Sequence, residues 1–343
     1  MSTALLLVQL GSPANLDVDD IETYLHQFLG DWHTIGKKSL FWKLLLKFVI
    51  LPKGKFSSYD KYLQMFNSND FKEMPLVTYS EEFLTALRRK FVASDALEQH
   101  KVEDYVTIRL AYQYGCTPSI SETLKQLEKD GVDTVHMLPL YPQRSGVTTQ
   151  AAIDNVLDCA RKIKFKGKIL SATGFCQNEA WAREVAKTIS EQIEEEDTLL
   201  VSFHSIQSWR VENASDPYRS DCEQSFKSIC QSLAEIAGDK FSGEAHLVYQ
   251  SKYKPGKLPS GKWLGPSLAE TLQQLGEQNK PVVVVSPVFT ADNLETIYEI
   301  DDEVSQIYYS AGGPRLKRIP CLNANPDWIT AFVEEILPAL KFA

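Results

Sequence analysis

At 343 residues the chain is long for one hydrophobic core and suits two domains of ordinary size. Its composition, 43% hydrophobic and 24% charged, is that of a globular protein rather than a disordered or fibrous one. A net charge of −9 with no basic block argues against nucleic acid as a partner.

The N-terminal run Ala4 to Leu10 reads as a strand ending at Gly11-Ser12-Pro13. Asp17 to Leu29 carries Val18, Ile21, Leu25 and Phe28 on one helix face. The next segment, Ser39 to Lys53, is apolar almost all round and is interrupted only by Lys43 and Lys47. Burial is the default for such a helix. The alternative is an interfacial segment or pocket lip, with the lysines reaching lipid head groups. Helices are expected over Ser57 to Phe66 and over Ser80 to Phe91, the latter with Ser80 as N-cap.

Tyr105 to Leu110 is the second strand, leading into Ala111 to Gly115. Pro118 and a capping box of Ser119 and Glu122 open the following helix. Thr134 to Leu140 and Lys168 to Thr173 are strands separated by a helix from about Thr149 to Lys162. A long amphipathic helix covers Gln177 to Glu195. Thr198 to Phe203 is the fifth strand, and His204 stands where it stops. A helix then runs from Pro217 to about Ile236. Ala245 to Tyr249 is the sixth strand, entering Gln250-Ser251-Lys252-Tyr253 and a Pro- and Gly-rich loop that carries Trp263. The Val-rich run Val282 to Ser286 reads as a strand buried on both faces. A helix from Ala291 to about Ser310, a strand Leu316 to Pro320 and a helix Pro326 to Leu340 complete the chain.

Eight strands alternating with helices define a parallel α/β architecture. The strands also echo one another between halves: VTIRLAYQ with AHLVYQ, and VHMLPLYPQ with VVVSPVFT. The expected fold is therefore two similar doubly wound halves, each a four-stranded parallel sheet flanked by helices. The halves are placed at 1–175 and 176–343, with the active-site cleft between them and the last helix free to pack on the N-terminal half. A closed eight-stranded barrel is the rival, and the break into unequal blocks at Gln177 to Glu195 argues against it.

Ligands of open α/β sheets bind at the carboxyl ends of strands, which is where His204 lies. A histidine that only closes a loop is the plain alternative. Glu295, Glu299 and Glu303 recur every four residues and form, with Asp302, an acidic stripe on one helix face. A solvated face would explain a stripe, but no Lys or Arg at i,i+4 relieves its repulsion. Carboxylates with one histidine suit a divalent metal or a proton relay. No nucleotide-binding glycine motif and no G-x-S-x-G nucleophile is present. The six cysteines form no C-x-x-C pair and fit free thiols in a reducing compartment. With no signal peptide and no membrane-length apolar run, the chain is expected in the cytoplasm.

The stretch Leu200-Val201-Ser202-Phe203-His204-Ser205-Ile206, with Asp216-Pro217-Tyr218 after it, resembles the catalytic-histidine signature of the ferrochelatase family. Further landmarks are Leu138 to Gln143 with Thr148-Thr149, Gln250-Ser251-Lys252, Trp263 to Pro266, and Leu294-Glu295-Thr296 with Tyr298-Glu299. The resemblance spans nearly the whole chain and implies a chelatase-like fold and insertion of Fe2+ into a porphyrin, with release of two protons. It makes His204 and Glu295 the catalytic and metal-contacting pair, with Glu299, Asp302 and Glu303 as a relay for ions or protons. It makes Phe41 to Leu51 a lip over the porphyrin, and Lys53, Lys55, Tyr62, Tyr112, Ser251 and Trp263 porphyrin contacts. It implies no permanently bound cofactor: Fe2+ is a substrate, and with only Cys321 near the C-terminus no iron–sulfur cluster is expected. The chain departs from the family pattern at Met74-Pro75, Gln113-Tyr114, Arg144, Gln207 and Asn293. Protoporphyrin IX is favoured by the apolar lip. Coproporphyrin iron insertion, a cobalt or nickel tetrapyrrole chelatase, and a porphyrin or metal carrier without turnover are the alternatives. The segment 39–53 also implies peripheral membrane contact.

Overall fold

A computed structural model describes residues 2–36, 40–95, 105–238, 241, 243–251 and 262–343. Two compact units emerge: Met1–Gly174 with Phe332–Ala343, and Phe175–Ala331. Lys252 and the loop up to residue 261 lie outside the described residues.

The first unit holds strands β1 (Thr3–Ser12), β2 (Tyr105–Gly115), β3 (Thr134–Pro139) and β4 (Lys168–Ser171), all parallel, in the order β2-β1-β3-β4. The second holds β5 (Thr198–His204), β6 (Ala245–Gln250), β7 (Val282–Val285) and β8 (Leu316–Ile319), again parallel, in the order β6-β5-β7-β8. The expected pair of four-stranded doubly wound halves is thus the observed fold, and the closed barrel is excluded by two separate sheets. The central strands Ala4 to Val8 and Val282 to Val284 are fully buried, because helices cover both faces of each sheet.

Some boundaries differ from the sequence reading. β2 runs on through Ala111 to Gly115, because Gly11 and Ser12 of β1 continue the ladder opposite Tyr114 and Gly115. Gly11 has φ +95, and a Cβ there would meet the Tyr114 carbonyl oxygen at 2.0 Å, so only glycine fits. The helix expected from Ser80 starts earlier, at Pro75, and runs to Asp95. Ser80 is therefore a buried mid-helix residue and not an N-cap; proline at the first helical position is the start signal. The capping box of Ser119 and Glu122 forms in both directions.

The apolar segment is helical from Leu40 to Leu45, passes through a π-helical turn over Leu46–Ile50 and continues as a helix over Leu51–Asn69. Burial, the default reading, is wrong for most of it. Leu46 and Leu51 face the interior, while Leu40 (75% exposed), Phe41 (71%), Leu44, Phe48 (66%) and Val49 face solvent. The segment is apolar all round, and one helix has only one face to give to the core.

The chain end belongs to the first unit: Phe332 packs edge-on against Phe83 and Phe342 stacks on His136. Lys90 pairs with Glu334 at 2.7 Å.

Just before the exposed segment, the buried His33 is clamped between two carboxylates. Its Nδ1 lies 2.8 Å from Asp31 and its Nε2 2.7 Å from Asp154 on the helix Thr149–Ile163. Tyr114 and Asn155 also donate to Asp31, at 2.7 and 3.0 Å. Burial works against the charge of His33, but the bonds to Asp31 and Asp154 outweigh it and its pKa is raised. Burial likewise opposes the Asp31 charge, but its donors prevail and its pKa falls to about 2. A raised histidine stabilises the fold fully below its ordinary value of 6.5 and loses that contribution as pH rises through the raised value. The depressed Asp31 contributes above 3.8 and loses its share as pH falls through about 2. The stability deficit of His33→Ala should therefore be largest in mildly acidic buffer and shrink on the alkaline side. Urea midpoints of both proteins across pH read this directly, and a pH-independent deficit would mean that His33 acts only by packing.

Candidate active site

In a doubly wound sheet the strand order reverses between the first strand and the strand on its other side, and the crevice at that reversal receives ligands. In the second unit the reversal falls between β5 and β7. His204 ends β5, and the loop after β7 leads to Glu295, so both residues reach the same crevice from its two walls.

His204 is half-buried, with its backbone carbonyl accepting from the Tyr218 hydroxyl at 2.8 Å. Its Nδ1 lies 2.8 Å from the Ser205 carbonyl oxygen. A carbonyl only accepts, so Nδ1 carries the proton and Nε2 is left with a free lone pair. Burial pushes the His204 pKa below its ordinary 6.5, opposed by the negative charge of Glu295 and by the bond to Ser205. The ring is thus a neutral base with its accepting nitrogen fixed. Phe289 approaches it edge-on, ring centroids 6.5 Å apart.

Glu295 lies in the first turn of the helix Leu294–Tyr298. Asn293, a departure from the family pattern, is that helix's N-cap: its Oδ1 accepts from the backbone N–H of Glu295 at 2.8 Å and of Thr296 at 3.3 Å. The Thr296 hydroxyl accepts from the Asn293 N–H at 3.0 Å and donates to Asp292 at 2.8 Å. Asp292 is buried and also receives Arg318 of β8 at 2.9 Å, Asn323 at 2.8 Å and the Cys321 N–H at 3.1 Å. Arg318 reaches Asp301 as well, at 2.9 Å. The start of the acidic helix is therefore tied to the neighbouring strand end by a charged network.

The four-residue stripe does not persist as an α-helical face. Residues Glu299–Val304 form a π-helical stretch whose hydrogen bonds run i to i+5, so the α-helical spacing no longer keeps Glu303 above Glu299. Glu295, Glu299 and Asp302 are half-buried, whereas Glu303 is exposed. Among the described residues no three His, Cys, Asp or Glu side chains converge to hold a metal.

Ser251 joins this crevice, and Trp263 is tied to the loop that follows His204. Ser251 follows β6 and its hydroxyl donates to Glu299. Trp263 forms an antiparallel bridge with Gln207, and the adjacent Leu264 accepts from the Ser205 hydroxyl at 2.9 Å. Gln207, which stands where the family pattern has proline, also accepts from Trp209 at 3.1 Å and Arg210 at 3.3 Å. The other named residues lie in the first unit. Lys53 is exposed, Lys55 pairs with Glu22 at 2.5 Å, and Tyr62 is buried on the same helix. Tyr112 is 1% exposed, with its hydroxyl 3.4 Å from Glu81. Of Gln250, Asp292 and Arg318, the sequence marks only Gln250, as a strand-end residue and part of the landmark Gln250-Ser251-Lys252; nothing local marks Asp292 or Arg318.

Two four-stranded parallel sheets with a histidine and carboxylates at the switch point of the second define a chelatase-type α/β protein. SirB from Bacillus subtilis with Fe3+ has the same fold, with a TM-score of 0.54 at 13% identity, covering 97% of this chain and 93% of that one. The sirohydrochlorin chelatase SirB from Bacillus subtilis subspecies spizizenii in complex with cobalt gives 0.51 at 12% identity, covering 98% and 94%. The ferrochelatase family model matches residues 2–340. Proteins named ferrochelatase from Francisella tularensis subsp. tularensis (strain WY96-3418) and subsp. novicida (strain U112) are each 30% identical over 324 residues, covering 93% of this chain and 90% of theirs. The chain belongs to the ferrochelatase family. It is a metal chelatase, a lyase of haem synthesis whose substrates are a porphyrin and a metal ion.

Proposed function

We propose that the chain inserts Fe2+ into protoporphyrin IX, with the Nε2 of His204 accepting a pyrrole proton and Glu295 supplying negative charge to the entering metal. The observation that carries this reading is the fixed tautomer of His204: Nδ1 is committed to the Ser205 carbonyl and Nε2 is a neutral acceptor. Two pyrrole protons must leave as a divalent ion enters, and a neutral imidazole beside a carboxylate can take a proton and stabilise the resulting charge. Glu299 and Asp302, half-buried further along the same helix, continue the acidic path, with Glu303 at its solvent end. Lys53 is favoured over Lys55 and Ser251 for a propionate, because those two already serve Glu22 and Glu299. Trp263 is assigned to the macrocycle, whereas Tyr112 and Tyr62, 1% and 7% exposed, offer it no surface. Turnover with Fe2+, Zn2+ and Co2+ against protoporphyrin IX and coproporphyrin tests the reading. Preference for coproporphyrin in kcat/KM overturns the substrate, preference for cobalt overturns the metal, and tight porphyrin binding without insertion makes the protein a carrier.

The exposed apolar face at residues 40–49 supports contact with an anionic membrane surface. Lys43, Lys47 and Lys53 are exposed beside it, and between residues 40 and 59 the sequence has no acidic residue to oppose them. No described helix is long and apolar enough to cross a membrane. The six cysteines, none of them bridged, support work in the cytoplasm. Sedimentation with anionic liposomes should fall sharply when Phe41, Leu44 and Phe48 are changed together to Ser. Unchanged sedimentation would leave the segment a pocket wall only.

A further inference from the structure

We propose that Gln250 is a positioning residue that fixes the placement of Glu295 relative to His204. It is the last residue of β6, 2% exposed, and the register partner of His204. Its backbone carbonyl accepts from the N–H of Ser205, at 2.8 Å, so its main chain fixes the turn that carries the histidine. Its side chain reaches the other way. The Nε2 donates to the Glu295 carbonyl oxygen at 2.8 Å and lies 3.5 Å from a Glu299 carboxylate oxygen. One residue therefore spans from the histidine's loop to the acidic helix.

The amide cannot turn over. Its Oε1 accepts from two buried hydroxyls, Ser202 on β5 and Ser286 after β7, each at 2.9 Å. Flipping the amide would set its oxygen against a carbonyl and a carboxylate, both acceptors only. The two serines thus point the Nε2 at the acidic helix. A buried network with every bond made is stiff, and stiffness at this point holds two groups carried by different strands in register.

This inference rests on the assignment of His204 and Glu295 made above, and turnover separates the two. If His204→Ala is as active as wild type, the site assignment fails; if only the Gln250 variants behave as wild type, the positioning role fails alone. Gln250→Met keeps the length and loses the polar groups, and Gln250→Glu keeps the shape and loses the donor. Both should lower kcat for iron insertion by about 10²-fold, the scale of a misplacement near 1 Å. The KM for porphyrin should stay within a few-fold of wild type. Ser286→Ala, which removes one of the two hydroxyls that aim the amide, should give a smaller loss of the same kind and covers the case in which a Gln250 variant does not fold. The loss should be non-additive with Glu295→Gln, because both act through one carboxylate. An unchanged kcat, a loss confined to KM, or a loss additive with Glu295→Gln overturns the proposal.

Discussion

Replacing His204 with Ala should slow iron insertion by about 10²–10⁴-fold, the range of a well-placed general base. The structure makes this a statement about one nitrogen. Nδ1 is held at 2.8 Å by the Ser205 carbonyl, so the proton leaving a pyrrole has Nε2 to go to. Burial keeps that nitrogen unprotonated below the ordinary histidine value of 6.5. Wild-type turnover should therefore persist on the mildly acidic side and fail only further down. The same shift has a stability consequence. A histidine with a lowered pKa contributes stability above 6.5 and loses it as pH falls through the lowered value. Porphyrin affinity of His204→Ala, read by fluorescence quenching, should stay close to wild type, because apolar walls rather than one imidazole bind a macrocycle. A variant that loses affinity and keeps its single-turnover rate would make His204 a binding group.

What was legible in the sequence is what short-range pattern encodes. The Val-rich run Val282 to Ser286 reads as a strand buried on both faces, and His204 falls at a strand end because the apolar run before it stops there. The capping box of Ser119 and Glu122 joins residues only three positions apart and forms as the sequence predicts. Features set by distant partners were not legible. Gln250 meets Ser202, Ser286, Glu295 and Glu299, all at least 36 positions away. Arg318 meets Asp292 from 26 positions off. No local spacing announces such bonds. The acidic stripe shows a different limit: a four-residue repeat implies one face only while the helix stays α, and the π-helical stretch over Glu299–Val304 breaks that premise. The lip shows a third. An all-round apolar segment has no periodicity to say which face is buried, so burial is only its default, and Phe41 and Phe48 are exposed.

Glu295→Gln should reduce kcat by an amount comparable to His204→Ala while leaving porphyrin binding in place. The amide keeps the size of the carboxylate, and the backbone contacts of residue 295 to Asn293 and Gln250 do not involve its side chain. What the substitution removes is charge. That charge raises the His204 pKa against the effect of burial, so without it the histidine titrates lower still. The acid limb of the rate profile should accordingly move to more acidic pH in Glu295→Gln, and the weaker base should take a proton more slowly at neutral pH. If the two residues act as one unit, the double variant should be little slower than the slower single variant, as coupled catalytic groups behave. The competing view of Glu295 as one carboxylate on a solvated face makes a different forecast. Exposed substitutions of that kind change stability by no more than about 0.5 kcal/mol, and they leave the rate and its pH dependence alone. Single-turnover iron insertion across pH with both single variants and the double decides between them. A Glu295→Gln protein with wild-type rate and an unmoved acid limb would take the acidic helix out of proton removal and leave that step to His204.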